Sequence, residues 1–209
     1  MTDPRGKRKI YCAGPLFNDP EKMEMERIAN SLEEAGYATF LPQRDGLEFS
    51  GVRKAITDMG LPDQEANSIL SKAIFALDVY QVADSDGLVL NMNGRVPDEG
   101  AMVEAGIAWA NGKKLVIFKN DARSMICGAD NPLVVGLSNF RVIAGYDQIV
   151  DEFDVLFRNG QPMDSTAISI IPPLSEMINS GKQISLQMAN LDNMLDLCNL
   201  LISLFKGTA

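Results

Sequence analysis

Residues 87–118 read GLVLNMNGRVPDEGAMVEAGIAWANGKKLVIF, and they contain a strand, a helix and a second strand in succession. The segments 87–92 and 114–119 are almost continuously apolar, which is typical of strands buried on both faces of a parallel sheet. The small and apolar residues of 98–111 lie between them and predict a helix. This unit predicts an α/β fold, in which helices cover both faces of the sheet.

The same alternation of strands and helices continues on either side of this unit. Further strands are predicted at 8–13, 37–41 and 141–144, and further helices at 20–35, 63–80 and 147–157. Residues 43–62 are expected to be irregular or partly helical, and Gly36 stands where a glycine often ends a helix. We therefore expect a flavodoxin-like or Rossmann-like doubly wound parallel sheet of five strands, in a domain that spans residues 1–160.

The remaining residues, 161–209, are expected to form a C-terminal helical extension. Apolar residues recur there at alternating steps of four and three, as in a heptad repeat on one long helix. They are Ile184, Met188, Leu191, Leu195, Cys198, Ile202 and Phe205. Two interpretations stay open, because such a helix can pack on its own domain or form a contact between subunits.

The overall composition argues against several classes of function. The net charge of −9 is unsuited to nucleic acid, whose backbone requires clustered Lys and Arg. No apolar run approaches the ~18 residues of a membrane span, and Gly14 and Pro15 interrupt the first run too early for a signal peptide. The three cysteines form no C-x-x-C pair, which favours a reducing cytoplasm as the location.

The chain contains no histidine. This removes Ser-His-Asp and Cys-His catalysis, His-ligated metal sites and imidazole as a general acid or base. Glycine-rich dinucleotide and phosphate motifs are also missing, and the segments DSDG and NMNG lack the further ligands of a calcium loop. Any catalysis should therefore depend on Asp, Glu, Tyr, Lys or Cys, among which the carboxylates are the abundant choice.

The active site of a doubly wound sheet lies at the carboxyl ends of its strands. The loops 14–19, 42–46 and 93–99 should meet there, and each contains polar groups suited to a ligand. Glu104 belongs to the following helix, where its neighbours one turn away are small or apolar. A charge on such a face is costly to bury unless it serves a function, so Glu104 is the main catalytic candidate.

Each candidate residue also has a purely structural interpretation. Glu104 could be a carboxylate at the rim that pairs with a Lys or Arg, and Asp98 could cap the helix, since Asp is a preferred N-cap. Asp78 could lie on a solvated helix face. Tyr11 could be a core aromatic residue with its hydroxyl group at the edge.

Three segments, KIYCAGPLF, LDVYQVADSDGLVLNM and PDEGAMVEAGIAWANGK, resemble the nucleoside 2-deoxyribosyltransferase family. The resemblance covers about residues 8–145 and depends most on the third segment, in which a Glu follows the Asp by six residues. It implies that Glu104 is the nucleophile and that Tyr11 hydrogen-bonds it. It also implies that Asp98 and Asp78 handle the nucleobase.

Further residues are candidates for binding the substrate. These are Gly14, Pro15, Phe17, Gln43 and Asn131. Asn131 matches an asparagine that reaches the sugar from a neighbouring subunit, so a homo-oligomer is expected, with an active site completed by the neighbouring subunit. The implied partners are deoxynucleosides and free nucleobases, and no cofactor is needed.

The implied activity exchanges the base of a 2′-deoxynucleoside through a covalent intermediate on Glu104. One alternative is a hydrolase of the same fold, an N-glycosidase that cleaves deoxynucleosides or their 5′-monophosphates. A second alternative, from another class, is a non-catalytic nucleotide sensor, which fold alone does not exclude.

Overall fold

The structure is a computed structural model that describes Arg5 and residues 8–94, 98–122, 129–159, 172–190 and 193–207. The chain forms two compact units. The first comprises residues 1–44 and 82–168, and the second comprises residues 45–81 and 169–209.

A parallel five-stranded sheet forms the centre of the first unit, with the strand order β2-β1-β3-β4-β5. The strands are β1 (Lys9–Ala13), β2 (Ala38–Phe40), β3 (Gly87–Asn91), β4 (Lys114–Phe118) and β5 (Val142–Ile143). The helices of this unit are α1 (Asp19–Glu34), α2 (Pro42–Asp45), α5 (Glu99–Ala110), α6 (Pro132–Val135) and α7 (Tyr146–Asn159). This strand order is the flavodoxin-like one, so the predicted fold class is confirmed.

Alternate residues of the strands serve two different cores. Ile10, Cys12 and Val89 are buried against α1 and α7 on one face of the sheet. The neighbouring residues of the same strands, among them Tyr11 and Leu88, are buried in a second core with α5. Helices therefore cover both faces of the sheet, as the apolar strand sequences predicted.

The second unit is helical and has a core of its own. Its helices are α3 (Phe49–Asp58), α4 (Asp63–Asp84, of which residues 82–84 belong to the first unit), α8 (Pro172–Ala189) and α9 (Met194–Phe205). Val52, Ile56, Leu70 and Ile184 are buried together in this core. A Cβ atom at Gly181 would overlap the backbone carbonyl of Ala76 and lie 2.5 Å from Tyr80 Cβ, so α8 crosses α4 at a distance that only glycine permits.

The prediction of one long helix in the tail is wrong. Two helices, α8 and α9, replace it, and Asn193 begins the second by accepting the N–H of Leu195 at 3.0 Å. Leu195 is 48% exposed although the heptad pattern placed it on the seam, whereas Leu197 and Leu201 are buried. The apolar spacing continues across the break, which conceals the interruption, and the predicted seam residue Leu191 lies outside the described residues.

The remaining predictions about the fold differ from the structure mainly at the ends of elements. Each predicted strand contains the observed one, and Gly36 follows α1 with the left-handed φ of 96°. The predicted domain boundary at residue 160 falls outside the described residues, and that division of the chain stays a prediction. Among the described residues, no helix has both the length and the apolar character that crossing a membrane requires.

Candidate active site

Tyr11 and Glu104 are in direct contact. The side chain of Tyr11 points from β1 toward α5 and is completely buried. Its ring stacks on Phe40 of the adjacent strand, with ring centroids 5.5 Å apart and an angle of 21° between the planes. The Tyr11 hydroxyl group donates a hydrogen bond to Oε1 of Glu104 at 2.7 Å.

Glu104 lies at the border of the apolar face of α5. Ala101, Ala105 and Ala108 are buried against the sheet, while Val103 is largely exposed and Glu104 is half-buried. A hydrogen bond donated to a carboxylate is stronger than one between neutral groups and favours the charged form. The contact with Tyr11 therefore both orients the Glu104 carboxylate and stabilises it as an anion.

Asp98 is the N-cap of α5. Its Oδ1 accepts the N–H of Ala101 at 2.9 Å, and a Cβ atom at Gly100 would lie only 3.1 Å from the same oxygen. The capping interpretation of Asp98 is therefore correct, and any chemical role is additional to it. Asp98 lies about 9 Å along the helix axis from Glu104, because six residues of helix separate them. A ligand of the size of a nucleoside spans this distance.

At the start of the loop after β1, the backbone of Gly14 lies close to the side chains of Met25 and Asn91. Gly14 and Pro15 are buried. A Cβ atom at Gly14 would lie 2.5 Å from Met25 Sδ and 2.8 Å from Asn91 Cβ, so no larger residue fits. Phe17 follows with 76% of its surface exposed and its backbone N–H donated to Glu21.

Gln43 lies on α2 with one end of its amide group unpaired. Its Nε2 donates to the carbonyl of Lys22 at 3.0 Å and to Oε1 of Glu26 at 3.1 Å. Its Oε1 is buried and has no hydrogen-bond partner among the described residues. An unsatisfied buried acceptor costs about 1–3 kcal/mol, so this oxygen is suited to an N–H donor that the protein itself does not supply.

Asn131 and Asp78 lie on elements other than those that carry Tyr11 and Glu104. Asn131 is exposed and caps α6, where its Oδ1 accepts the N–H of Leu133 at 3.0 Å. Asp78 lies half-buried on the part of α4 that belongs to the second unit. The roles that the resemblance implies for these two residues stay predictions.

The structure also contains a polar cluster that the sequence analysis did not identify. Asn91 at the end of β3 and Asn93 just beyond it are both buried, and their side-chain amides donate to Glu24 of α1 at 2.8 Å. Tyr146 at the start of α7 donates to the same carboxylate at 3.0 Å, and burial together with this bond raises the pKa of Tyr146. The signal in the sequence is the pair of asparagines that interrupts an otherwise apolar run.

A cavity of about 270 Å³ lies at the edge of β4 and β5, lined by side chains such as Trp109, Leu137 and Arg141. It contains none of the residues predicted to form the site. Among the described residues, no group of three or more Cys, Asp or Glu side chains is placed to hold a metal ion. The carboxyl edge with Tyr11 and Glu104 therefore remains the candidate active site.

The family model described as nucleoside 2-deoxyribosyltransferase matches residues 10–161. A crystal structure of a conserved protein from Enterococcus faecalis V583 is similar with a TM-score of 0.50 and 22% identity, and the match covers 71% of this chain and 98% of that one. At this identity the likeness shows a shared fold.

Two further solved structures are less similar. A 2-deoxyribosyltransferase from Bacillus psychrosaccharolyticus has a TM-score of 0.45 and 17% identity, with 68% of this chain and 90% of that one covered. A CMP N-glycosidase from Clostridium botulinum has a TM-score of 0.40 and 17% identity, with 70% and 99% covered. No curated protein matches the chain significantly.

Proposed function

Because the chain belongs to the nucleoside 2-deoxyribosyltransferase family, we propose that it transfers the 2-deoxyribosyl group of a deoxynucleoside from one nucleobase to another. Family membership supports catalysis at the bond between sugar and base. The observation that carries the proposal is the 2.7 Å hydrogen bond from a fully buried tyrosine to the half-buried Glu104. That arrangement holds a carboxylate as an oriented anion, which is what a nucleophile requires.

In the first step, Glu104 attacks the anomeric carbon of the sugar. A bond forms between a carboxylate oxygen and C1′ while the bond from C1′ to the base nitrogen breaks. The electron pair of the broken bond leaves with the base, and the transition state resembles an oxocarbenium ion.

Asp98 is assigned the proton that the departing base takes up. Its Oδ1 accepts the capping N–H of Ala101, so the proton would be carried on Oδ2. General-acid help of this kind contributes about 10²–10⁴-fold to a rate. A variant without the Asp98 carboxyl should therefore be slow, and a variant without the Glu104 carboxylate should lose the covalent route.

In the second step, a different base enters the vacated position and attacks C1′ of the deoxyribosyl ester. The Glu104 carboxylate leaves, and the incoming base returns its proton to Asp98. Two inversions give net retention at C1′, as in a retaining glycosidase. The chemistry requires neither a metal nor an organic cofactor.

The remaining residues are proposed to bind the substrate. The buried Oε1 of Gln43 has no partner in the described structure and is proposed to accept an N–H of the base. Asp78 is proposed to contact the base as well, and Asn131 is proposed to reach the sugar bound to a neighbouring copy. Gly14, Pro15 and Phe17 would form the wall of the site on the side of β1, and the protein would act as a homo-oligomer.

The direct test is to incubate the protein with deoxyinosine and adenine and to separate the products by liquid chromatography. New deoxyadenosine supports the transfer reaction. If hypoxanthine and free deoxyribose form without a new nucleoside, the protein is a hydrolase and the transfer reaction is wrong. Glu104→Gln should abolish turnover, while Glu99→Gln, an exposed position on the same helix, should leave it unchanged.

A further inference from the structure

Every polar atom of the Asn93 side chain has a partner in the described structure. Its Nδ2 donates to Oε1 of Glu24 at 2.8 Å and to Oδ1 of Asn120 at 2.7 Å. Its Oδ1 accepts the backbone N–H of Asn120 at 2.9 Å and that of Asp121 at 3.2 Å. Only 7% of the residue is exposed, so one amide group connects α1 with the chain that leaves β4.

The backbone at this point is fixed as well. The N–H of Asn93 donates to Oδ1 of Asn91 at 2.9 Å, and the N–H of Gly94 donates to Oδ2 of Asp121 at 2.9 Å. Met92 still pairs with β4 through the carbonyl of Phe118. Two consecutive residues after the last ladder bond are therefore held by side chains, and the direction in which the chain leaves β3 is determined.

The proposed general acid, Asp98, follows Gly94 by four residues in the sequence. Asp98 itself is fixed on one side by its cap bond to α5. A buried polar network in which all members are satisfied defines geometry more strictly than an apolar contact of the same size, since a partly satisfied network is costly. The Asn93 amide is thus placed to define geometry at the edge of the site without contacting the substrate.

We propose that Asn93 is a positioning residue that fixes the chain where it leaves β3 and thereby influences the approach of Asp98 to the departing base. The inference rests on the proposed function of Asp98. It predicts that loss of the Asn93 amide slows the departure of bases that need a proton and spares the departure of bases that do not.

The sharpest perturbation is Asn93→Asp, which keeps the shape of the side chain. It replaces the Nδ2 donor by an oxygen that faces two acceptors, the Glu24 carboxylate and Asn120 Oδ1, and it adds a like charge beside Glu24. Glu24→Gln in the same molecule restores a donor opposite the new carboxylate. The double variant should therefore recover part of what the single variant loses.

The experiment compares two substrates with the full-length protein. Deoxyadenosine needs a proton on its departing purine, whereas 7-methyl-2′-deoxyguanosine already carries the positive charge that protonation would create. Asn93→Asp should lower kcat on deoxyadenosine by at least about tenfold, toward the contribution of a general acid, and should change kcat on the methylated substrate by less than about threefold. Asn190→Asp, which removes one exposed hydrogen bond in the second unit, should change neither rate.

The outcomes separate the positioning role from the proposed function. A wild-type protein that turns over neither substrate overturns both. A wild-type protein that is active, with Asn93→Asp slowed equally on both substrates or not rescued by Glu24→Gln, overturns the positioning role and leaves the proposed function standing. Where Asn93→Asp does not fold, Asp121→Ala removes the acceptor of the Gly94 N–H and must show the same dependence on the departing base, and equal slowing of both substrates by this variant overturns the proposal.

Discussion

The hydrogen bond from Tyr11 to Glu104 is the contact on which the proposed chemistry depends most, and Tyr11→Phe removes it with little other change. The ring of Tyr11 is buried and stacked on Phe40, and phenylalanine retains that packing. The donor of the 2.7 Å bond is lost. The Glu104 carboxylate then remains in a half-buried position without one of the groups that orient it.

The size of the effect follows from the kind of hydrogen bond. A bond to a charged group contributes about 1.5–3 kcal/mol, and about 1.4 kcal/mol corresponds to a factor of ten. We therefore expect kcat/KM to fall by about 10–150-fold. Because the lost donor favours the anion, the acidic limb of the pH–rate profile should also move toward higher pH.

The assay is the rate of base exchange as a function of pH, with Tyr37→Phe as the matched control. Tyr37 is also buried and donates to a carboxylate, that of Asp154, at the same distance of 2.7 Å. Its loss should lower the melting temperature without moving the pH–rate profile. If Tyr11→Phe and Tyr37→Phe leave the same profile and the same kcat/KM, the role assigned to the Tyr11–Glu104 bond is wrong.

Two further predictions concern stability. Gly181→Ala would force a methyl group against the backbone of Ala76 and should destabilise the protein by about 1–3 kcal/mol. Gly106→Ala, with open space around it, should be neutral or stabilising by up to about 1 kcal/mol. Thermal unfolding measures both variants, and equal destabilisation by the two would contradict the tight crossing of α8 and α4. The hydrogen bond from Arg5 holds the pKa of Asp154 below its ordinary value, so the ionised carboxylate stabilises the fold above the unfolded-state pKa of about 3.9 and that stability is lost as the pH falls through the lower folded-state pKa. The melting temperature of Asp154→Asn should accordingly lie below that of the wild type by a constant amount above about pH 5, with the difference shrinking toward pH 3, and a difference that does not depend on pH would contradict this.

The sheet could be predicted from the sequence because its strands are buried on both faces. All five residues of β3 are buried, and the apolar run GLVL is therefore sufficient to predict a strand that is covered on both faces. Helix α1 could be predicted as well, because Met25, Ile28 and Leu32 recur at helical spacing and are buried on one face. Local pattern and tertiary environment agree in these elements.

The tail could not be predicted in the same way. A heptad-like spacing reports which side chains are apolar, and it continues through the interruption between α8 and α9. The local signal for a break was Asn193, whose side chain caps α9, but a capping residue inside a periodic pattern is weak evidence by itself. The core of the second unit buries Leu197 and Leu201 together with the seam residues Cys198 and Phe205, so the buried face is broader than the heptad seam.

The contacts of the candidate site were predictable only through the family resemblance. Tyr11 and Glu104 are separated by 93 positions, and no local pattern relates a strand residue to a helix residue at that distance. Periodicity indicated only that Glu104 lay on an apolar face. The Asn93 network was missed for the same reason, because its partners come from segments that the sheet brings together.

The measurement that tests the proposed chemistry most directly is the mass of the intact protein, quenched after brief exposure to a deoxynucleoside. A covalent ester on Glu104 adds the mass of one deoxyribosyl unit to the wild-type chain, and the same treatment leaves the mass of Glu104→Ala unchanged. A wild-type protein that exchanges bases while its mass stays unmodified, or an adduct that persists in Glu104→Ala, would contradict the assignment.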